Sequence, residues 1–229
     1  MPLEHSGNET AFPRRSPVRL PGEAAETEER NGWTVIRRYS GEGGGPWIVD
    51  LSHCDKWDVR DAALDRVPAI DDVPMPARAG DCVYRDGRLL LRPTETRVLL
   101  WRLLAPEAIL PHSPAFTDLT DGYALLALAG SEVPDILEKA TPMDALPPDA
   151  AMPRFLRGPV FRRPGLLATL IHRPDMTVTL VACGRGYGRY MAEAFMEAGE
   201  EFGMLPAGED RFAGLALPAR DANPSGGFV

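Results

Sequence analysis

Prolines and glycines cut this chain into short apolar runs, and the runs come twice in nearly the same order. With 23 prolines and 22 glycines among 229 residues, no element extends far before a breaker stops it. A strand-like run at 33–39 and a glycine-rich loop at 41–46 lead into Ile48-Val49-Asp50-Leu51-Ser52, and Phe116-Thr117-Asp118-Leu119-Thr120 echoes that segment later on. A short helix is expected after each, at 61–67 and from Val133, where Val133, Ile136, Leu137 and Ala140 recur at helical spacing. Ser131 stands where an N-cap belongs, and Pro134 is tolerated in a first turn. Proline-rich loops at 68–80 and 142–153 come next. Each gives way to a hairpin, 88–92 with 97–103 and 165–173 with 176–183, turned at Arg92-Pro93 and Arg173-Pro174. The expected architecture is α/β (α+β), two related β-α-β-β halves at about 32–110 and 111–217 within one domain at 32–217.

Residues 187–202 give the clearest helix. Met191, Ala194, Phe195, Ala198 and Phe202 share a face, the glutamates lie elsewhere, and Gly203 stands ready to end it. Residues 1–31 read as an extended N-terminal arm, since Pro13, Pro17 and Pro21 block a helix and the acidic run at 23–29 prefers water. Residues 218–229 read as a flexible tail.

Composition narrows the function classes. A net charge of −8 argues against a nucleic-acid partner, because phosphate binding wants clustered cations. No apolar run reaches the roughly 18 residues of a membrane helix, and the polar N-terminus does not read as a secretory signal. A cytoplasmic protein without membrane contact is expected. Cys54, Cys82 and Cys183 form neither a disulfide framework nor a zinc knuckle. A His/Cys metal site would need remote segments, and no metal is expected.

Few motifs carry chemistry. Gly184-Arg185-Gly186-Tyr187-Gly188 follows a strand and opens a helix, the setting in which free amides hold an anion. Its G-x-G-x-G spacing is not the dinucleotide fingerprint, so neither nicotinamide nor flavin is expected. Two readings stay open: Arg185 and Arg189 hold a carboxylate or phosphate there, or the turn is plain and its arginines solvated. Asp118 and Asp121 sit together at a strand end. Ser52, His53 and Cys54 are adjacent, but neighbours on a strand point to opposite faces and make no triad. No nucleophile elbow, P-loop or zincin motif is present, and no catalytic residue is assigned.

Several segments resemble a known family. Phe116-Thr117-Asp118-Leu119-Thr120, the strand at 125–130, Ile136-Leu137, Thr141-Pro142-Met143-Asp144 and the strand and helix at 177–202 are similar to the gamma subunit of heterotetrameric sarcosine oxidase. That subunit falls within the group of the glycine-cleavage T-protein, the folate-dependent aminomethyltransferases. Asp50-Leu51-Ser52-His53-Cys54-Asp55-Lys56 is similar to the T-protein's Asp-Leu-Ser-His-Met-Gly-Lys segment. The resemblance covers about 33–204. It implies the folate-binding domain fold of the T-protein and a place among the subunits of a heteromeric N-demethylating oxidase, dehydrogenase or monooxygenase acting on sarcosine, N-methylglutamate or dimethylamine. Tetrahydrofolate, as acceptor of formaldehyde, is the one cofactor it brings in.

Two departures bear on that implication. Where the T-protein carries a functional aspartate after its glycines, this chain has Asp86-Gly87-Arg88-Leu89-Leu90-Leu91, with no acid after the glycine. Cys54 replaces the methionine after Ser-His. A non-catalytic, gamma-type subunit is therefore expected, the alternative being a self-contained folate-dependent one-carbon transferase. Folate-binding candidates are Cys54, Asp118, Asp121, Tyr123, Arg185, Tyr187 and Arg189. The acids would accept from pterin N–H groups and the arginines would hold the glutamyl tail. Trp33, Trp47, Trp57 and Trp101 are not all assigned to one core by pattern, and one or two of them are candidate anchors for partner chains.

Overall fold

A computed structural model describes residues 13–104, 109, 111–147 and 151–216. The first strands are β1 (Ala24–Arg30), β2 (Trp33–Tyr39), β3 (Trp47–Asp50) and β4 (Asp55–Arg60). Next come the minimal hairpin β5 (Ala69–Ile70) and β6 (Val73–Pro74), then β7 (Cys82–Arg85), β8 (Arg88–Thr94) and β9 (Arg97–Arg102). The chain continues with β10 (Phe116–Asp118), β11 (Tyr123–Gly130), α1 (Val133–Ala140), β12 (Arg154–Val160), β13 (Arg163–Arg173) and β14 (Met176–Gly184). It closes with α2 (Gly188–Gly199), β15 (Leu205–Ala207) and α3 (Glu209–Ala216). The protein is mixed α+β and mostly strand. No helix among the described residues is long and apolar enough to cross a membrane.

Two sheets stack face to face. One has the order β10-β4-β9-β8-β7, the other β12-β13-β14-β11-β3-β15. Each draws a short strand from across the chain: β10 pairs with β4, and β3 pairs with β11, both antiparallel. Leu89, Leu91, Leu99 and Trp101 of the five-stranded sheet meet Leu125, Ala127, Leu166, Leu180 and Ala182 of the six-stranded one. Phe212 of α3 joins the same apolar layer.

The outer face of the six-stranded sheet is covered by α1 and α2 through Ile136, Leu137, Met191 and Phe195. The apolar spacing read in the sequence puts these residues on the buried side. The outer face of the five-stranded sheet carries Trp57, Val59, Leu90, Val98 and Leu100 under Leu64, Ile70 and Val73.

Several sequence expectations need correction. The helix expected at 61–67 is only a 3-10 turn, Leu64–Arg66, so the first half has no α-helix among its described residues. Leu64 is its one buried residue, too little apolar surface to hold a longer helix against the sheet. The loop at 68–80 contains the β5–β6 hairpin. Ser131 does not cap α1, whose N-cap position is Glu132 with no side-chain cap bond. Helix α2 is shorter than 187–202 because 3-10 turns flank it on both sides, and Gly203 ends the second turn at φ +71°. Residues 24–30 are a strand paired with β2, although their side chains stay mostly exposed as expected. Asn31 and Gly32, both at positive φ, turn that hairpin. The tail at 218–229 lies outside the described residues.

Three of the four tryptophans are core residues. Trp33, Trp57 and Trp101 are buried, and Trp47 is half-buried. The exposed large apolar side chains among the described residues are Ile109, Tyr187 and Tyr190.

Candidate functional site: an aromatic, cationic cavity between the sheets

At one end of the inter-sheet layer the apolar packing stops and a cavity of about 290 Å³ opens. That is close to the lower size of small-molecule pockets, ~300 Å³. The five-stranded sheet supplies Lys56, Arg97, Leu99 and Trp101. The six-stranded sheet supplies Tyr123, Arg157, Leu166 and Ala182, and Tyr187 comes from the turn after β14. Alternation along the strands explains the set: Arg97, Leu99 and Trp101 share one face of β9, and Lys56 stands opposite Trp101 in the ladder. Among the described residues, no carboxylate lines this cavity.

Its cations are held differently. Arg97 donates to Asp58 at 2.7 Å, and that hydrogen bond raises its pKa, with Tyr123 a further partner. Lys56 is almost fully buried and donates to the carbonyls of Ser52 at 2.9 Å and Cys54 at 2.6 Å. Burial lowers its pKa to about 8, against the opposing pull of nearby Cys54 and carboxylates. Arg157 is exposed and has no hydrogen-bond or ion-pair partner among the described residues. Tyr187 is 40% exposed, and Arg163 lies over its ring. The cavity thus offers aromatic walls and positive charge.

The sequence-derived candidates separate. Tyr123 and Tyr187 line the cavity, whereas Cys54, Asp118, Asp121, Arg185 and Arg189 do not. Asp118 is exposed, and its carboxylate accepts from the Thr120 amide. Asp121 accepts from Arg14 Nε at 2.9 Å and lies 3.7 Å from Arg185. Arg185 also donates to the Arg15 carbonyl, and Arg14 and Arg185 both lie over the Trp33 ring. The glycine-rich turn therefore clasps the N-terminal segment. Arg189 pairs with Glu193 on the exposed side of α2. Sequence reading passed over Lys56, Arg97, Trp101 and Arg157. Only Lys56 had a signal, as the last residue of the Asp50–Lys56 segment.

A second cluster lies elsewhere. His53 Nε2 is 2.8 Å from Glu209 Oε1 and 3.6 Å from Cys54 Sγ. Arg30 grips both oxygens of Glu209, at 2.8 and 2.9 Å. Burial disfavours the His53 imidazolium, but Cys54 and Glu209 outweigh it and raise the pKa to about 10. Burial likewise raises Glu209, yet His53 and Arg30 bring it down to about 2. Both partners meet the same ring nitrogen, so the three are not a relay in series.

Among solved structures, the fold is similar to a chain of heterotetrameric sarcosine oxidase from Corynebacterium sp. U-96 in complex with pyrrole 2-carboxylate. That match has a TM-score of 0.57 and 20% identity, over 70% of this chain and 87% of that one. It is also similar to the glycine cleavage system aminomethyltransferase T from Bartonella henselae, with a TM-score of 0.51 and 18% identity over 82% of this chain. The match spans 57% of that longer chain, so less than two thirds of it. Both neighbours belong to the group that the sequence resembles. No family model and no curated protein matches the sequence.

Proposed function

We propose that this chain is a gamma-type, non-catalytic subunit of a heteromeric amine-demethylating complex, and that it holds tetrahydrofolate in the cavity between its sheets. The observation that carries the reading is the cavity's lining: Trp101, Tyr123 and Tyr187 beside Lys56, Arg97 and Arg157. A pterin is a flat heteroaromatic ring and its glutamyl tail is anionic, so aromatic walls and cations, with the Arg157 side chain unpaired among the described residues, match its two ends. The Tyr123 hydroxyl can accept from a ring N–H while Arg97 occupies its other lone pair. The likeness in fold to a sarcosine oxidase chain and to aminomethyltransferase T supports the same reading. The segment Asp86-Gly87-Arg88-Leu89, with no acid after the glycine where the resembled family carries its functional aspartate, favours a binding role over a self-contained transferase.

Titration with tetrahydrofolate, followed by tryptophan fluorescence, tests the site. Arg157→Ala should weaken binding about ten- to a hundredfold, as for a lost charge-assisted contact. Tyr187→Ala should weaken it comparably through lost ring stacking. Arg189→Ala, outside the cavity, should bind like the wild type. A wild-type chain that takes up no folate, alone or with its native partners, would remove the cofactor from this subunit. Intact-complex mass spectrometry from the native source tests the subunit role separately, and a chain found only alone would count against it.

A further inference from the structure

We propose that His53, Cys54 and Glu209 form a binding site for one divalent transition-metal ion of the zinc class, which fastens the loop after β3 to the start of α3. Their ligand atoms all lie within 4.8 Å of one another. They converge on a point rather than following in series, since the sulfur and the carboxylate oxygen both approach His53 Nε2. Ordinary zinc bond lengths place nitrogen and sulfur ligands about 3.5 Å apart across a tetrahedral edge. The observed Nε2–Sγ separation is 3.6 Å. The Nε2–Oε1 pair, at 2.8 Å, has to open by about half an ångström to admit an ion with the same bond lengths.

The surroundings suit the exchange. Cys54 and Glu209 are about 5% exposed, so a soft ion would be shielded from water. Arg30 already orients the Glu209 carboxylate, the role played by groups behind metal ligands. Arg30 and Arg37 are themselves offset by Glu28 and Asp210. Binding releases the ligands' protons to solvent, and the ion's two positive charges are balanced by the Cys54 thiolate and the Glu209 carboxylate. His53 also lines a separate cavity of about 160 Å³ beside Ser16, Tyr39 and Asp50, which provides a way in for the ion and room for a water as fourth ligand. None of the three residues lines the inter-sheet cavity, so this site stands or falls independently of folate.

Cobalt(II), used as a spectroscopic stand-in for zinc, tests the assignment on the full chain after treatment with a chelator. The expected result is one ion per chain with a thiolate-to-cobalt charge-transfer band, displaced by zinc. Cys54→Ser should abolish the band and weaken zinc at least tenfold, while Cys82→Ser and Cys183→Ser should keep both. Wild-type protein that binds no ion at micromolar cobalt or zinc, or binds one without a thiolate band, overturns the proposal. Retention of the band in Cys54→Ser overturns it equally. Should Cys54→Ser fail to fold, the stoichiometry and band of the wild type decide.

Discussion

The six-stranded sheet is roofed by two helices, whereas among the described residues the five-stranded sheet has a 3-10 turn and a two-residue-strand hairpin over its outer face. The difference shows in what each buries. The fully buried polar residues on the roofed sheet are threonines, Thr169, Thr177 and Thr179. On the other sheet Lys56, Asp58, Arg92 and Arg102 are all at most 4% exposed. Arg92 donates to the carbonyls of Pro76 and Ala77 and to Asp65 and Glu95, and Arg102 pairs with Asp71. Charged side chains thus strap the 65–77 segment where no helix supplies an apolar lid. The outer cover of the six-stranded sheet is held by apolar burial, that of the five-stranded sheet by apolar burial together with hydrogen-bonded charge. The cavity opens where the two kinds of layer meet.

The largest effect should come from the roofed side. Phe195 is fully buried under α2 and packs edge-on to Phe161 with ring centroids 4.9 Å apart. Phe195→Ala should cost about 3–5 kcal/mol in urea unfolding, since the cavity adds to the lost transfer energy. The cost should be insensitive to added salt. A loss below about 1 kcal/mol would mean that the helices are not what holds this sheet.

The charged side should lose less, and in a salt-dependent way. Asp58 accepts from Arg60 at 3.0 Å and Arg97 at 2.7 Å, with its side chain 6% exposed. Asp58→Asn should cost about 1.5–3 kcal/mol, the range for hydrogen bonds to a charged group. Wild-type stability should drop towards that of the variant as ionic strength rises, because Arg60 is exposed and screened. Equal unfolding midpoints for wild type and variant at low salt would dissolve the contrast between the sheets.

The same contrast explains what the sequence disclosed. Helix α2 was legible because its partner is a flat apolar sheet, which imposes a clean spacing on Met191 and Phe195. The hairpins β8–β9 and β13–β14 were legible from paired apolar runs around a short break. Pro174 lies in the second turn, but Arg92 and Pro93 lie within β8 at a register shift and the first turn is Glu95-Thr96. Strand β1 was hidden, since a strand with nearly all its side chains in water needs no alternation, and only Asn31-Gly32 marked it. Strand β15 and α3 follow Gly203 and were not foreseen, because their role is to close the end of a layer made elsewhere in the chain. The cavity was the least legible feature. Arg97, Trp101 and Arg157 look like ordinary strand residues until two sheets face each other. Asp118 and Asp121 stood out at a strand end, and Arg185 and Arg189 beside a glycine-rich turn that opens a helix. Their charges are spent on a backbone amide, the N-terminal segment or a neighbour on the same helix.

The smallest expected effect isolates the buried cation at the boundary, Lys56, which has no carboxylate within ion-pair distance among the described residues. Burial lowers the folded pKa of Lys56 from 10.5 to about 8. Below about pH 8 the ammonium is held in both folded and unfolded states, and the cost of burying it is carried in full. Between about 8 and 10.5 the unfolded chain binds the extra proton, so unfolding free energy rises with pH. By pH 9 the gain over neutral pH should be about 1.4 kcal/mol. His53, raised to about 10, titrates in the same window with the opposite sign, and the buried thiols Cys82 and Cys183, raised to about 12 and 11, oppose the gain above pH 9. The informative quantity is therefore the stability of wild type minus that of Lys56→Met, followed from pH 7 to 9 by urea unfolding. That difference should climb by the same ~1.4 kcal/mol, since every other group titrates alike in both proteins. A flat difference would mean that the Ser52 and Cys54 carbonyls hold the ammonium as well as water does, and that the boundary between the two layers is not dry.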